Sequence, residues 1–430
     1  MKKLSFLAAL LSLTLGACNK EYLNPSTATQ TQVVTSSDGL ITLCNGLQYR
    51  YTTNGLLSVL YNAEALGGLS TRELNILNVG NIEEYNVSLG AGNVSNSNGV
   101  VRNLWTQCQL VRANADLVLA NVSNAPDAGT RSGIVAYASI FRALSLGTLA
   151  EFFEQAPLVT GDNAPFVPRA QLLADAVAQL ETAATQLATT PVSADFTSKI
   201  VPGLDLANTI QALIARYSLE AGNYDKALAA KVDLTKKSVF NFDDNTRNPI
   251  FEVAFGNRNV FEPTDANLGL TGALAPTVGD QRLPFLVRTS PGPTQNRGLA
   301  FYTANNAPIP VYLPGEILLI QAEAYARKND LPNAVTALNK VLTKTPAQDI
   351  YGLGAALPPY AGALTQDAVL LEILRNRDIE LAFQGFRLPD SRRFNRPGPG
   401  TAGAERNRTF YPYPRTEREN NSSTPTDPAI

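Results

Sequence analysis

The 430-residue chain contains no histidine. That absence excludes Ser-His-Asp and Cys-His nucleophile pairs and every metal site built on imidazole. Tryptophan occurs once, at Trp105. Neither sign of charge dominates, with 35 basic against 37 acidic side chains, so no basic field favours nucleic acid. There is no GxxxxGK[ST] phosphate loop, no GxSxG elbow and no CxxC metal pattern. No cofactor, no metal site and no nucleic-acid partner are therefore expected.

The chain opens "MKKLSFLAALLSLTLGACNKEYLNP". Lys2 and Lys3 precede an apolar run from Leu4 to Leu15, shorter than the roughly 20 residues of a membrane span. No later segment reads as long enough to span either. "LGAC" then sets small residues before Cys18, which resembles the lipobox of bacterial lipoprotein signal peptides. The resemblance implies that residues 1–17 are removed and that Cys18 carries the lipid that anchors the chain. Residues 18–37 read as a polar tether, and 38–430 as a single domain. Cys44 and Cys108 sit in apolar helical patterns. Export permits a disulfide between them, and two buried free thiols are the other reading.

Helical spacing places a first helix over 38–62, with Asp38 as its N-cap and Leu40, Leu43, Leu47 and Tyr51 on one side. Residues 66–100 are rich in Gly, Asn and Ser and read as a long irregular segment. Further helices follow at 104–122, at 130–153 with Pro157 as the breaker, at 169–188, and from Leu206 onward. Trp105 is the kind of residue that forms a sugar platform, but its place inside a helical repeat assigns it to the core.

Two stretches repeat one another. Ala215, Gly222, Tyr224 and Ala227 fall at tetratricopeptide spacing, as do Leu318, Ala322, Tyr325, Ala334, Leu338, Val341 and Pro346. Small residues stand where paired helices approach and large ones fill the grooves between pairs. Ala227 and Ala334 lie 107 residues apart rather than about 34, so an insert, roughly 235–312, interrupts the array. It holds short strand-like pieces such as "IFEVAF". A second insert covers 346–365, and the tail after Pro397 is rich in Pro and Asn. The expected fold is mainly α: a tetratricopeptide-like scaffold of helical pairs with long irregular loop inserts and a few short strands.

In order along the chain, "NKEYLNP", "NLWTQCQLVRANADLVLANV", "ASIFRALSLGTLAEFFEQAPLV", "DQR", "YLPGEILLIQAEAYAR", "LLEILRNRDIELAFQGFRLPDSRRF" and "FYPYPRTERENN" resemble the SusD/RagB family of nutrient-binding outer-membrane lipoproteins of Bacteroidota. Asn376 before Arg377, Gln384, Phe386, Leu388 and Pro389 depart from the family's usual residues. The resemblance implies a solute-binding lipoprotein exposed on the outer membrane. It would capture oligosaccharide, or peptide in some members, and deliver it to a SusC-like TonB-dependent barrel transporter. The helices would face the transporter, and the loops would form the ligand surface.

Sugar sites set aromatic faces against apolar sugar faces, with amides, acids and arginines bonding hydroxyls. The first loop offers Asn78, Tyr85 and Asn86. The central insert offers Phe261, Arg282, Phe285, Tyr302 and Asn305. A remote alternative is a carboxylate-based glycoside hydrolase using Glu316 with Glu323, or Glu372 with Glu380, each pair two turns apart on a helix. The arginine-dense stretch at 375–394 reads instead as a structural network. Its helix carries Arg377, Glu380 and Gln384 along one stripe and is ended by Gly385, with Arg387 and Asp390 in the following turn. Glu380 is expected to pair with Arg387 or another arginine, and Asp390 with Arg377 or Arg393.

Overall fold

The computed structural model describes residues 30–289 and 296–430. The expected signal peptide, Cys18 and most of the tether lie outside the described residues. The helix Ala128–Phe152 runs through the centre. Asp127 starts it by accepting from the Thr130 amide, and the helices Ser37–Thr52, Gly99–Asn121, Arg169–Thr189 and Leu206–Glu220 pack around it. By length and composition it is apolar enough to cross a membrane, contrary to the sequence reading, but its most apolar stretch is 94% buried. It is the core helix of the fold.

The helical pairs form where the alanine pattern sets them. The helix Leu206–Glu220 turns at Gly222, with φ at +77°, into Tyr224–Ala229, and Ala215 and Ala227 are buried between them. Pro314–Arg327 turns at Asn329 into Leu331–Leu342, burying Ala322, Ala334, Leu338 and Val341. The main core draws side chains from Val34 to Tyr413, and a second cluster fills the space under the Leu331–Leu342 helix. Trp105 is buried, stacked on Phe166 with ring centroids 5.8 Å apart, and its indole N–H donates to Glu417 at 3.1 Å. Cys44 and Cys108 are free and buried.

Several local expectations are corrected. The helix expected over 38–62 stops at Thr52, because Asn54 and Gly55 both take positive φ, and a new helix runs Val59–Ser70. The N-cap of the Ser37–Thr52 helix is Ser36, and Asp38 lies in its first turn. The segment 66–100 is ordered: a strand at Leu74–Ile76 and a helix at Ile82–Leu89 that buries Val87 and Glu84. Pro157 does not end the central helix, which closes at Phe152; Pro157 lies in a strand that pairs with Phe166–Pro168. "IFEVAF" contains a π-helical turn, Phe251–Phe255, because Asn248 accepts from the amides of Ile250 and Phe251 and starts a helical chain path.

Among the described residues the strands form four two-stranded antiparallel sheets. Leu74–Ile76 pairs with Phe261–Pro263, with Ile76 opposite Phe261, and so joins the first loop to the central insert. Val239–Phe240 pairs with Ile309–Pro310 and closes that insert at its base.

Candidate functional site

The helix Gln366–Glu380 is capped by Thr365 and buries Glu372, Asn376, Arg377, Asp378 and Glu380 along with Val369, Ile373, Leu374 and Ile379. It ends at Glu380, five residues before Gly385. The chain then reverses through positive φ at Phe383 and Gly385 and re-enters a short helix, Arg387–Arg393. Gln384 is thus off the helical stripe, and Arg387, Pro389 and Asp390 are helical rather than in a turn. Glycine is required at the reversal: φ at Gly385 is +83°, and a Cβ there would meet the Ala63 carbonyl at 2.7 Å.

These two helices gather a network of buried charge. Arg377 Nε donates to Asp390 at 2.7 Å, and Arg393 Nη1 donates to the other Asp390 oxygen at 2.7 Å. Burial pushes the Asp390 carboxyl up, but Arg377 and Arg393 outweigh it and hold the carboxyl below the usual range. Arg393 also reaches Glu323 at 2.8 Å, which Arg327 engages from its own helix. Glu380 accepts from Arg282 at 3.0 Å and from Lys344 at 3.1 Å. Arg282 meanwhile clasps Asp280 through two bonds and donates to Asn376 at 2.8 Å. Arg387 does not pair with Glu380; it donates to the carbonyls of Leu268 and Asp378 and lies 3.3 Å from Glu73.

This geometry removes two sets of candidates. Arg282 is fully buried and structural, so it leaves the ligand list. The four glutamates of the hydrolase alternative are all buried and engaged: Glu316 by Arg216 at 2.5 Å, Glu323 by Arg327 and Arg393, Glu372 by Arg375, and Glu380 by Arg282 and Lys344. A glycosidase needs two carboxylates facing each other across an open cleft.

The loop candidates divide. Phe261 is buried and stacks on Tyr61 at 5.8 Å, so it is core. Tyr302 is buried too, its hydroxyl donating to the Phe383 carbonyl at 2.7 Å. Asn78 is exposed and its amide reaches Asn259 at 3.2 Å, while Tyr85 and Asn86 are half-buried on the Ile82–Leu89 helix. Phe285 is half-buried and meets the half-buried Phe301 edge-on, with centroids 5.4 Å apart. Phe301 in turn meets Tyr351 edge-on at 5.7 Å, and the exposed Lys237 lies 5.2 Å from the Tyr351 ring centre.

Asn305 is half-buried on the segment that follows Phe301, and the buried Asn248 pins that segment. Its amide N–H donates to the Asn305 carbonyl at 2.7 Å, and its side chain donates to the carbonyls of Phe301 and Ala307. The structure therefore sets Phe285 against Phe301, on the segment that also carries Asn305, and places Asn78, Tyr85 and Asn86 on the first loop. Sequence reasoning missed Phe301 and Tyr351. Phe301 neighbours the Tyr302 that was chosen, and successive residues in such a segment point to different sides. Tyr351 lies in the 346–365 insert, which signalled a loop and nothing finer.

A small cavity of about 60 Å³ lies under the reversal, lined by Arg216, Glu151, Tyr302 and Gln384. It has room for water and is far below the roughly 300–1,000 Å³ of small-molecule pockets.

Residues 286–428 match the family model described as "SusD family". No curated protein is detectably similar in sequence. Solved structures are similar in fold. A SusD superfamily protein from Bacteroides vulgatus shares 16% identity over 93% of this chain and 98% of its own, with a TM-score of 0.66. A SusD-like carbohydrate binding protein from the same organism shares 19% identity over 84% of each chain, with a TM-score of 0.66. A SusD-like carbohydrate binding protein from Bacteroides fragilis shares 14% identity over 91% of this chain and 99% of its own, with a TM-score of 0.65. The C-terminal third of this chain thus carries the sequence pattern of the SusD family, and almost its whole length shares the fold of solved SusD superfamily proteins.

Proposed function

We propose that the protein binds oligosaccharide at the cell surface, anchored through lipid on Cys18, and passes it to a SusC-like TonB-dependent barrel transporter. The observation that carries the binding reading is the half-buried row Phe285, Phe301 and Tyr351, bordered by Lys237, with Asn305 on the segment that follows Phe301. Pyranose rings present C–H faces that pack on aromatic rings, and their hydroxyls bond to amides and amines. The near-perpendicular packing of Phe301 against both neighbours fixes the ring before ligand arrives, which lowers the entropy cost of binding. The buried charge network holds the inserts that carry this row. Two fold neighbours are SusD-like carbohydrate binding proteins, which supports the same ligand class.

The test is a glycan array beside a peptide library, run with the full chain in detergent. Saturable binding of a glycan, weakened in Phe301→Ala, supports the reading. Peptide binding alone replaces oligosaccharide with peptide on the same scaffold. Transport is tested separately: the chain should copurify with a barrel protein from native membranes, and its failure to do so would sink the partner claim.

A further inference from the structure

A second site lies away from the aromatic row. The start of the Arg169–Thr189 helix, the end of the Leu206–Glu220 helix, the Arg387–Arg393 helix and the C-terminal loop enclose a pocket of about 300 Å³. Four arginines line it, Arg169, Arg392, Arg393 and Arg406, against one acid, Glu220. Arg393 is matched by Glu323 and Asp390. The other three have no carboxylate at ion-pair distance among the described residues. Arg169 donates to the Ala150 carbonyl at 3.0 Å. Arg392 donates to the carbonyls of Thr409 and Glu151 and lies 4.2 Å from the centre of the Phe410 ring. Arg406 donates to the Arg396 carbonyl and to Ser391, and its Nε is buried with no partner. Glu220 also keeps one buried oxygen, Oε2, without a partner.

Partly buried cations with unmet donors are costly unless a counter-charge joins them. We propose that this pocket binds an oxyanion group, a sulfate, phosphate or carboxylate, held by Arg169, Arg392 and Arg406. Guanidinium forks match such oxygens two at a time, and Arg406 Nε supplies a donor already desolvated. Burial, then Arg169 and Arg406, pull Arg392 down to about 9, so its charge is disfavoured by its neighbours and an anion would restore it. Burial pushes the Glu220 carboxyl up against the opposing pull of Arg393, Arg169 and Arg216, which lessens its repulsion of an incoming anion. The volume admits one small group or one sugar-sized ring, and not an extended chain. The inference stands apart from the aromatic row and does not need that row to bind sugar.

The test is calorimetric titration of the full chain in detergent, at fixed ionic strength, with sodium sulfate, sodium glucuronate and glucose. The proposal expects saturable binding of sulfate or glucuronate, none of glucose at this site, and at least a tenfold loss in Arg169→Gln and Arg406→Gln. Binding of sulfate alone assigns the pocket to free inorganic anions. Tighter glucuronate assigns it to acidic groups carried on sugars. If Arg406→Gln fails to fold, Arg169→Gln decides, since Arg169 is half-buried at a helix start. No saturable anion binding, or binding that a folded Arg169→Gln leaves unchanged, overturns the proposal.

Discussion

Arg282 and Glu380 meet at 3.0 Å although they lie 98 positions apart in the chain, and both side chains are buried. The contact ties the central insert to the last long helix. Lys344 joins from the second helical pair and shares the second Glu380 oxygen. Three parts of the chain that are remote in sequence are therefore closed by one carboxylate.

Glu380→Ala should destabilise the protein by about 3 kcal/mol, because it removes the carboxylate that two buried cations share and leaves each with a single acid, Asp280 for Arg282 and Asp349 for Lys344. Urea unfolding measures the change. An unchanged midpoint together with lost ligand binding would show that Glu380 serves the ligand and not the fold.

The long helices were legible through their apolar periods but not through their caps: Asn98 and Asp127, which accept from the first-turn amides, were not read as helix starts. The helical pairs were legible through Ala227 and Ala334, since a close helix approach permits little else. Other features depend on the partner. Whether "IFEVAF" forms a strand or a helical turn was decided by Asn248, and short apolar runs are ambiguous by period alone. Arg282 and Tyr302 have the chemistry of ligand residues, and only the tertiary fold turns them inward. The aromatic row was half legible: Phe285 was read, while Phe301 and Tyr351 emerge only when two inserts meet.

The reversal after Glu380 depends on a close approach of two backbones. A Cβ on Gly67 would stand 2.5 Å from the Gly385 carbonyl oxygen. Gly67→Ala must move one backbone, so it should cost about 1–3 kcal/mol by overpacking. A melting temperature equal to that of the unaltered protein would show that the two segments separate freely.

Asp378 makes stability depend on pH. Burial pushes its carboxyl up to about 8, with Arg387 opposing and Asp390 and Glu73 reinforcing, while the unfolded chain ionises near the usual value of about 3.9. Between these values the folded state binds more protons, so stability falls as pH rises from about 4 to 8 and is level above. Asp378→Asn should flatten part of that slope, by on the order of 1–3 kcal/mol between pH 5 and 8. Burial raises Glu64 and Glu73 as well, so some slope will remain. An identical pH slope in the variant would contradict this account.

Cys44 and Cys108 are sealed in the core, and burial pushes both thiols up, so neither should react with a thiol reagent in the native state. After denaturation without reductant both should titrate. A third equivalent, from Cys18, would argue against acylation at that residue, and fewer than two would reveal a disulfide.

The aromatic row separates ligand binding from folding more cleanly than any charged residue here. Phe301 touches Phe285 and Tyr351 edge-on and is only half-buried, so Phe301→Ala removes a ligand surface together with two ring contacts of about 0.5–1.5 kcal/mol each. Tyr351→Phe keeps the ring and drops the hydroxyl, which donates to the Ser238 carbonyl at a long 3.4 Å. If sugar stacks on this row, Phe301→Ala should weaken binding about tenfold, which corresponds to about 1.4 kcal/mol, while Tyr351→Phe binds almost normally. If both variants bind alike, the stacking surface lies elsewhere. The exposed amides of Asn78 and Asn81, bonded to Asn259 where the first loop meets the central insert, then become the surface to mutate next.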